Sequence, residues 1–511
     1  MSSSFSKLYS AEPQGVEARL VEVEVDFSPG LHSFSIVGLA DKALQEARDR
    51  INSALKNSRT KQPSRENKKI TINLAPADVK KSGSQYDLSL AIGYLFAGKQ
   101  IREFPTGDFL FIGELGLDGS LRPVRGVLMV AEMAKRLGFK KLVLPHKNAS
   151  EAAVVDGLVV FGAKNLLEVI DFIEERREAP RYSLIEKEAP RAEVDFGDIK
   201  GQVAVKRALT IAASGGHNVL LSGPPGVGKS YLSKAFAGIL PPLSKEESIE
   251  VTKIYSAAGF LPEGLITARP FRAPHHTSSL VSLIGGGSDP KPGEISLAHR
   301  GVLFFDEAPE FPRSNLEALR QPLEEGRIVV SRAQKRLVFP ARFTLILAMN
   351  PCPCGYYGDD KKECICSPYD VLKYSKKLSG PLLDRIDMVI KVDRVPLNDL
   401  TTKKSTVSES AYIKKEVMGA RRIQSERFKE GNIFTNSEIN AQEVDRFLVL
   451  DEKAKRFISS LISMDLSPRS YYRILKTART IADLDGAEFI REEDLAEAFH
   501  YRFQEESADK L

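Results

Sequence analysis

Apolar and polar residues alternate over residues 21–27 and 70–74, the period-two signature of strands with one covered face. Between them, residues 41–55 place Ala43, Ala47, Ile51 and Leu55 on one helical stripe. Farther along, alternation gives way to short apolar runs. Val219-Leu220-Leu221, the run 301–305 and the run 343–349 predict strands, with helical stretches over 231–240 and 314–325. Gly326 stops the second of these helices, and residues 326–340 read as a β-hairpin whose two apolar strands flank a short tip. Residues 471–484 are amphipathic, with Ile474, Leu475, Ala478 and Ile481 on one face and Arg473, Lys476 and Arg479 on another. A basic helical face of this kind is usually solvated.

These patterns divide the chain. Residues 1–175 read as mixed α/β, and 176–193, rich in charge and proline, as a linker. Residues 194–395 form a second α/β block, and 396–511 open on a polar stretch and continue as helices. A chain of 511 residues is too long for one core. The basic excess is mild, 73 − 68 = +5, so any surface for nucleic acid must be local. Residues 1–7 lack the apolar core of a signal peptide, and no run approaches a membrane span, so a cytoplasmic protein without a membrane partner is expected.

Gly223-Pro224-Pro225-Gly226-Val227-Gly228-Lys229-Ser230 fits the pattern G-x-x-x-x-G-K-S between a predicted strand and a predicted helix. Its glycines let backbone N–H groups converge on phosphate oxygens at a helix N-terminus. Lys229 is expected on the β- and γ-phosphates of ATP, and Ser230 on Mg2+. The run 301–305 ends in Asp306 and Glu307. A P-loop hydrolase needs one acid for Mg2+ and, in many cases, another to polarise the attacking water, and these roles fall to Asp306 and Glu307 in turn. Asn350 closes the third run and can orient water near the γ-phosphate, although an asparagine ending a strand is by itself more often a turn residue.

All four cysteines, Cys352, Cys354, Cys364 and Cys366, fall within one short stretch. Four thiolates on one loop suit a closed, structural Zn2+ site, with free thiols as the alternative. His275-His276 has no acid or cysteine at ligand spacing, which favours a structural or intersubunit role.

The P-loop, the acid pair and the asparagine strand, in this order, resemble the AAA+ superfamily, in particular its magnesium-chelatase-like branch and the ComM/YifB family. Arg269-Pro270-Phe271-Arg272-Ala273-Pro274-His275-His276-Thr277, Pro292-Gly293-Glu294-Ile295-Ser296-Leu297-Ala298-His299, Asn350-Pro351-Cys352-Pro353-Cys354-Gly355 and Ser379-Gly380-Pro381-Leu382-Leu383-Asp384-Arg385-Ile386-Asp387 carry the resemblance across nearly the whole chain. It implies a central P-loop α/β ATPase domain with a helical C-terminal lid, assembled as a homo-hexameric ring with ATP between subunits. It implies further that Arg385 serves as an arginine finger and Arg469 as a sensor-2 arginine; surface salt bridges are the alternative for both. The hairpin resembles the pore hairpin of MCM-like AAA+ rings, which implies that Arg332, Lys335 and Arg336 grip DNA phosphates rather than lie on a solvated turn.

Residues 1–175 weakly resemble the proteolytic domain of Lon, through Ser28-Pro29-Gly30, Ile36-Val37-Gly38-Leu39-Ala40 and Arg122-Pro123-Val124-Arg125-Gly126-Val127. Lon-type proteolysis needs a serine activated by a lysine. Those positions fall on Gln85 and Leu128, with Ser84 one residue away, so a scaffold without its chemistry is expected. The function implied is an ATP-driven DNA translocase or helicase. It would act on single-stranded and branched DNA of any sequence and promote branch migration as incoming DNA recombines in natural transformation. A chelatase-type motor that remodels a protein partner is the second reading, and a Lon-type protease the third.

Overall fold

The computed structural model describes residues 4–38, 44, 46–65, 67–77, 81, 83–180, 182, 193–260, 264–287, 290–332, 335–396, 408–429, 433–440, 442–461 and 467–503. They form two compact units. The first comprises 1–187 with 248–266 and 333–338, and the second 188–247, 267–332 and 339–511. Among the described residues no helix is long and apolar enough to cross a membrane.

In the first unit the alternating segments become a four-stranded sheet in the order Phe5–Gln14, Glu17–Pro29, Lys68–Ala75, Ser33–Val37. Successive side chains of a strand point to opposite faces, so Leu8, Val21, Val23, Val25, Phe27, Ile70, Ile72 and Leu74 all reach one core. The predicted helix is present as Ala47–Asn57 and buries Ala47, Ile51 and Leu55; Ala43 lies outside the described residues. The helix Asp87–Ala97, buried almost all round, packs in the same core. A parallel three-stranded sheet, Phe109–Phe111, Lys141–Pro145 and Val159–Ala163, completes the unit with the helix Val127–Arg136. Residues 248–266 are pinned here by a buried network: Ser256 Oγ accepts the N–H of Gly126 at 2.9 Å and donates to Glu151 at 2.7 Å. Burial pushes the Glu151 carboxyl up, against the hydrogen bond from Ser256.

The second unit is built on a five-stranded sheet in the order Phe271–Arg272, Val302–Phe305, Thr344–Met349, Val219–Ser222, Met388–Lys391, parallel throughout. The three central strands are covered on both faces, which is why they read as apolar runs without alternation. The chain is thus mixed α/β, and the C-terminal helices Glu409–Arg427, Pro468–Leu484 and Glu492–Phe503 share the core of this sheet through Val417, Ile474, Leu475, Ala478, Ile481 and Leu495.

Two expectations are corrected here. The single helix over 314–325 is two short ones, Arg313–Glu317 and Arg320–Glu325. Pro322 explains the break, since proline has no N–H to give and its ring clashes with the carbonyl four residues back, at Ala318. The basic face of the helix Pro468–Leu484 is not solvated throughout. Arg479 is buried, bonded to Asp483 Oδ1 at 3.0 Å and to the carbonyls of Ala487 and Glu488. Periodicity placed this arginine on the right face, but the polar partners that make its burial tolerable lie in the following turn.

Candidate functional site

The P-loop and the acid and asparagine positions sit at the carboxyl ends of three adjacent strands, Val219–Ser222, Thr344–Met349 and Val302–Phe305, where parallel sheets form their ligand crevices. Gly223 leaves the first strand so close to its neighbour that a Cβ would stand 2.2 Å from the carbonyl oxygen of Val392. Gly226 and Gly228 adopt φ of 82° and 91°, left-handed values open to glycine, and nothing lies within 4 Å of where their Cβ atoms would be. The helix Lys229–Ile239 starts at Gly228, so the loop ends on unpaired helical N–H groups over open space.

The side chains converge on that space. Lys229 Nζ donates to the carbonyls of Gly223 and Pro224 at 2.6 and 3.0 Å and to Asn350 Oδ1 at 3.0 Å. Ser230 Oγ donates to Asp306 Oδ2 at 2.6 Å, and Asp306 Oδ1 accepts the N–H of Glu307 at 3.0 Å. Burial pulls the Lys229 amine down to about 8, opposed by the charges of Asp306 and Glu307. Both acids are exposed although the strand before them is buried. Glu307 has φ 50° and ψ 47°, a left-handed backbone in a residue other than glycine, of the kind that concentrates at functional sites. A hydroxyl beside a carboxylate is an oxygen donor set suited to a hydrated Mg2+, and a partly desolvated amine beside a glycine-lined loop suits a polyphosphate. Lys229, Ser230, Asp306, Glu307 and Asn350 are therefore brought together around one opening.

The two arginines are placed differently. Arg385 is nearly buried and pairs with Glu324 at 2.8 Å, and Arg469, exposed, pairs with the same carboxylate at 3.3 Å. Glu324 was missed from the sequence, as was Asp387, which is ion-paired with Arg473 and accepts the N–H of Asn218 at 2.8 Å. Arg469 and Arg473, four apart on one helix, were the only signal of a shared face.

The cysteines form one cluster. Their sulfur atoms lie within 4.8 Å of one another, with Cys352 at 3.3 Å from Cys354 and 3.7 Å from Cys364. Four Zn–S bonds of about 2.3 Å in a tetrahedron set sulfurs about 3.8 Å apart, so the cluster fits zinc. Backbone N–H groups of Cys354 and Tyr357 point at Cys366 and Cys352 at 3.4 and 3.3 Å, an outer shell that favours thiolates. The loop abuts the P-loop: a Cβ on Gly355 would lie 2.7 Å from Pro225 Cδ.

The hairpin is present as Arg327–Arg332 and Lys335–Pro340, with Ile328, Val330 and Phe339 buried and Arg336 exposed. The side chains of Arg332 and Lys335 lie outside the described residues. His275 Nδ1 is 2.8 Å from Thr277 Oγ1 and its ring lies against His276, and the four-cysteine cluster is the one metal-ligand grouping among the described residues. In the first unit Ser84 is hydrogen-bonded to Glu114, Gln85 Nε2 donates to Glu12 at 2.8 Å, and Leu128 is fully buried. Leu128 carries no group that could exchange a proton with a serine.

Three family models match successive segments: magnesium chelatase subunit ChlI over 195–400, subunit ChlI of Mg-chelatase over 23–148, and the ChlI C-terminal model over 407–502. The chain is 43% identical to the competence protein ComM of Haemophilus influenzae, over 99% of both chains. It is 41% identical to the protein YifB of Escherichia coli over 98% of this chain and 97% of that one. The magnesium-chelatase 67 kDa subunit of Chlorobaculum tepidum is 27% identical over 42% of this chain and 29% of its own length.

Proposed function

This chain belongs to the ComM/YifB family, whose magnesium-chelatase-like AAA+ domains make it an ATPase, and on that premise we propose that it is a DNA translocase that promotes branch migration. Its setting would be the recombination of incoming DNA in natural transformation, the context that the name of the competence relative suggests. The observation that carries the ATPase half is the Lys229–Asn350 and Ser230–Asp306 pairing beneath an open glycine loop. Lys229 binds the β- and γ-phosphates, Ser230 and Asp306 hold Mg2+, and Glu307 takes the proton of the water that Asn350 orients. Bound Mg2+ supplies charge neutralisation at the phosphate oxygens. In a homo-hexamer, Arg385 reaches the neighbour's nucleotide and Arg469 acts as the sensor. The Cys352, Cys354, Cys364 and Cys366 thiolates hold Zn2+ and brace the loop that follows Asn350. The first unit is a scaffold without proteolysis.

The DNA half rests on the tip residues Arg332, Lys335 and Arg336, each able to neutralise one phosphate in a central channel. Phosphate contacts carry little base information and release counterions, so binding is indifferent to sequence and steep in salt. Gel shifts with single-stranded and forked DNA test this. A triple alanine variant should lose affinity for all DNA alike, with the salt slope shallower by about 0.7–0.9 per lost contact. Unchanged affinity and slope would remove the hairpin from the DNA path. The three chelatase-subunit matches favour a second reading, a motor that remodels a protein partner. Absence of any DNA binding with or without ATP would decide for it.

A further inference from the structure

Glu324 lies on the short helix Arg320–Glu325, two residues before the left-handed Gly326 that leads into the hairpin strand Arg327–Arg332. Its two oxygens are divided between two arginines from distant parts of the chain: Oε2 stands 2.8 Å from Arg385 Nη2, and Oε1 stands 3.3 Å from Arg469 Nη2. The Arg385 side chain is only 7% exposed, its Nη1 donates to the Pro381 carbonyl in its own turn, and its buried Nε has no hydrogen-bond partner. Among the described residues Glu324 is the one carboxylate paired with this withdrawn guanidinium. The hydrogen bond from Arg385 holds the Glu324 carboxyl below its usual range, so the pair stays charged.

The surroundings connect this carboxylate to two other places. Gly326 donates its N–H to the Pro322 carbonyl and accepts from the N–H of Ala341, both at 2.8 Å, so the helix end is tied to both sides of the hairpin base. On the other side, Arg473, one helical turn after Arg469, is ion-paired with Asp387, two residues after Arg385. Asp387 in turn accepts the N–H of Asn218, which precedes the strand Val219–Ser222 of the P-loop. A displacement of the hairpin base has a short covalent path to Glu324, and Glu324 touches both arginines directly.

A guanidinium whose charge is already balanced by a carboxylate has less of it to lend to a phosphate. We propose that Glu324 is a latch. It holds Arg385 and Arg469 away from nucleotide in the resting ATPase, and nucleic acid on the hairpin draws the helix Arg320–Glu325 aside and releases them. This inference rests on the roles given above to the two arginines and the hairpin, and makes Glu324 a positioning residue that restrains turnover.

Steady-state hydrolysis by the full chain, with and without a single-stranded oligonucleotide, tests it. Glu324→Gln keeps the shape of the side chain and removes its charge. The expected result is a basal kcat higher by about fivefold, or about 1 kcal/mol, with KM for ATP within about twofold. The DNA-saturated rate stays at the wild-type value, so the stimulation ratio falls by the same factor. Glu325→Gln, at the neighbouring acid paired with Arg327, should change neither quantity. In a background carrying both Arg385→Ala and Arg469→Ala the gain from Glu324→Gln should vanish, an outcome that a merely structural role does not produce. A folded Glu324→Gln protein, verified by its melting curve, with a basal rate at or below wild type would overturn the latch. If DNA fails to stimulate the wild type while Glu324→Gln still raises the basal rate, the latch stands and the DNA reading falls.

Discussion

Two junctions in this molecule each lead from a strand to a helix, and differ in where the polar groups around them go. Between Lys68–Ala75 and Asp87–Ala97, the polar side chains 84–87 are turned onto partners inside the protein. Ser84 bonds to Glu114, Gln85 and Tyr86 to Glu12, and Asp87 takes Arg50 through two hydrogen bonds at 2.7 and 3.0 Å. Between Val219–Ser222 and Lys229–Ile239, the lysine, serine, acids and asparagine instead meet beneath a glycine loop with open space above it. Strand–loop–helix topology therefore supplies only the stage. At one junction the polar groups border open space, and at the other they are satisfied by partners within the protein.

The sharpest way to break this contrast is substitution at the open junction. Lys229→Ala should weaken ATP binding by at least about 100-fold, roughly 3 kcal/mol, in a nucleotide titration. Glu307→Gln should bind ATP within a few-fold of wild type but lose about 10²–10⁴ in kcat, the usual share of a general base. Wild-type turnover in that variant would sink the acid assignment. At the closed junction the effect moves from chemistry to stability. Asp87 is fully buried, so Asp87→Ala strips Arg50 of its two hydrogen bonds to that carboxylate and should cost about 3–5 kcal/mol in a urea melt. The ATPase rate per folded molecule should not move; if it falls in proportion, the first unit takes part in turnover after all.

A smaller effect is expected from the thiolates. Cys352→Ser should abolish stoichiometric zinc, measured by elemental analysis of untagged protein, and lower kcat severalfold, because the loop it loosens packs on Pro225. Wild-type protein without zinc would end the metal assignment. The gentlest probe is pH. Burial draws Lys229 down to about 8 from an ordinary 10.5. Its charge is lost as pH rises through about 8, and since phosphate needs the charged form, ATP affinity should fall by about tenfold per unit above that point. The folding contribution has the opposite sign: between about 8 and 10.5 the unfolded chain binds the extra proton, so stability from this group rises with pH. ATP titrations at pH 7, 8 and 9 check the first statement, and a flat profile would mean the amine keeps its proton.

Much of the candidate nucleotide site was legible because it is written locally. Glycines whose backbone must be left-handed, a lysine and serine at fixed spacing, and acids closing an apolar run are constraints between neighbours, and any chain that satisfies them at a strand end builds the same cradle. The cysteine cluster was legible for the same reason, with four sulfurs on one loop. Alternation over 21–27 and 70–74 likewise determined which faces of those strands are buried, since the strand period is fixed by the backbone. What only the tertiary structure decided is the pairing of charges over long separations. Glu324 and Arg469 stand 145 residues apart, and nothing local in either says that they meet, or that Arg385 joins them. Arg479 read as a solvated charge although its partners Asp483, Ala487 and Glu488 follow closely in the chain, because a helical face gives direction and not burial; nothing beside Ser84 signals its partner Glu114, 30 residues away. Charge interactions depend on distance and burial in space, and a one-dimensional pattern carries neither.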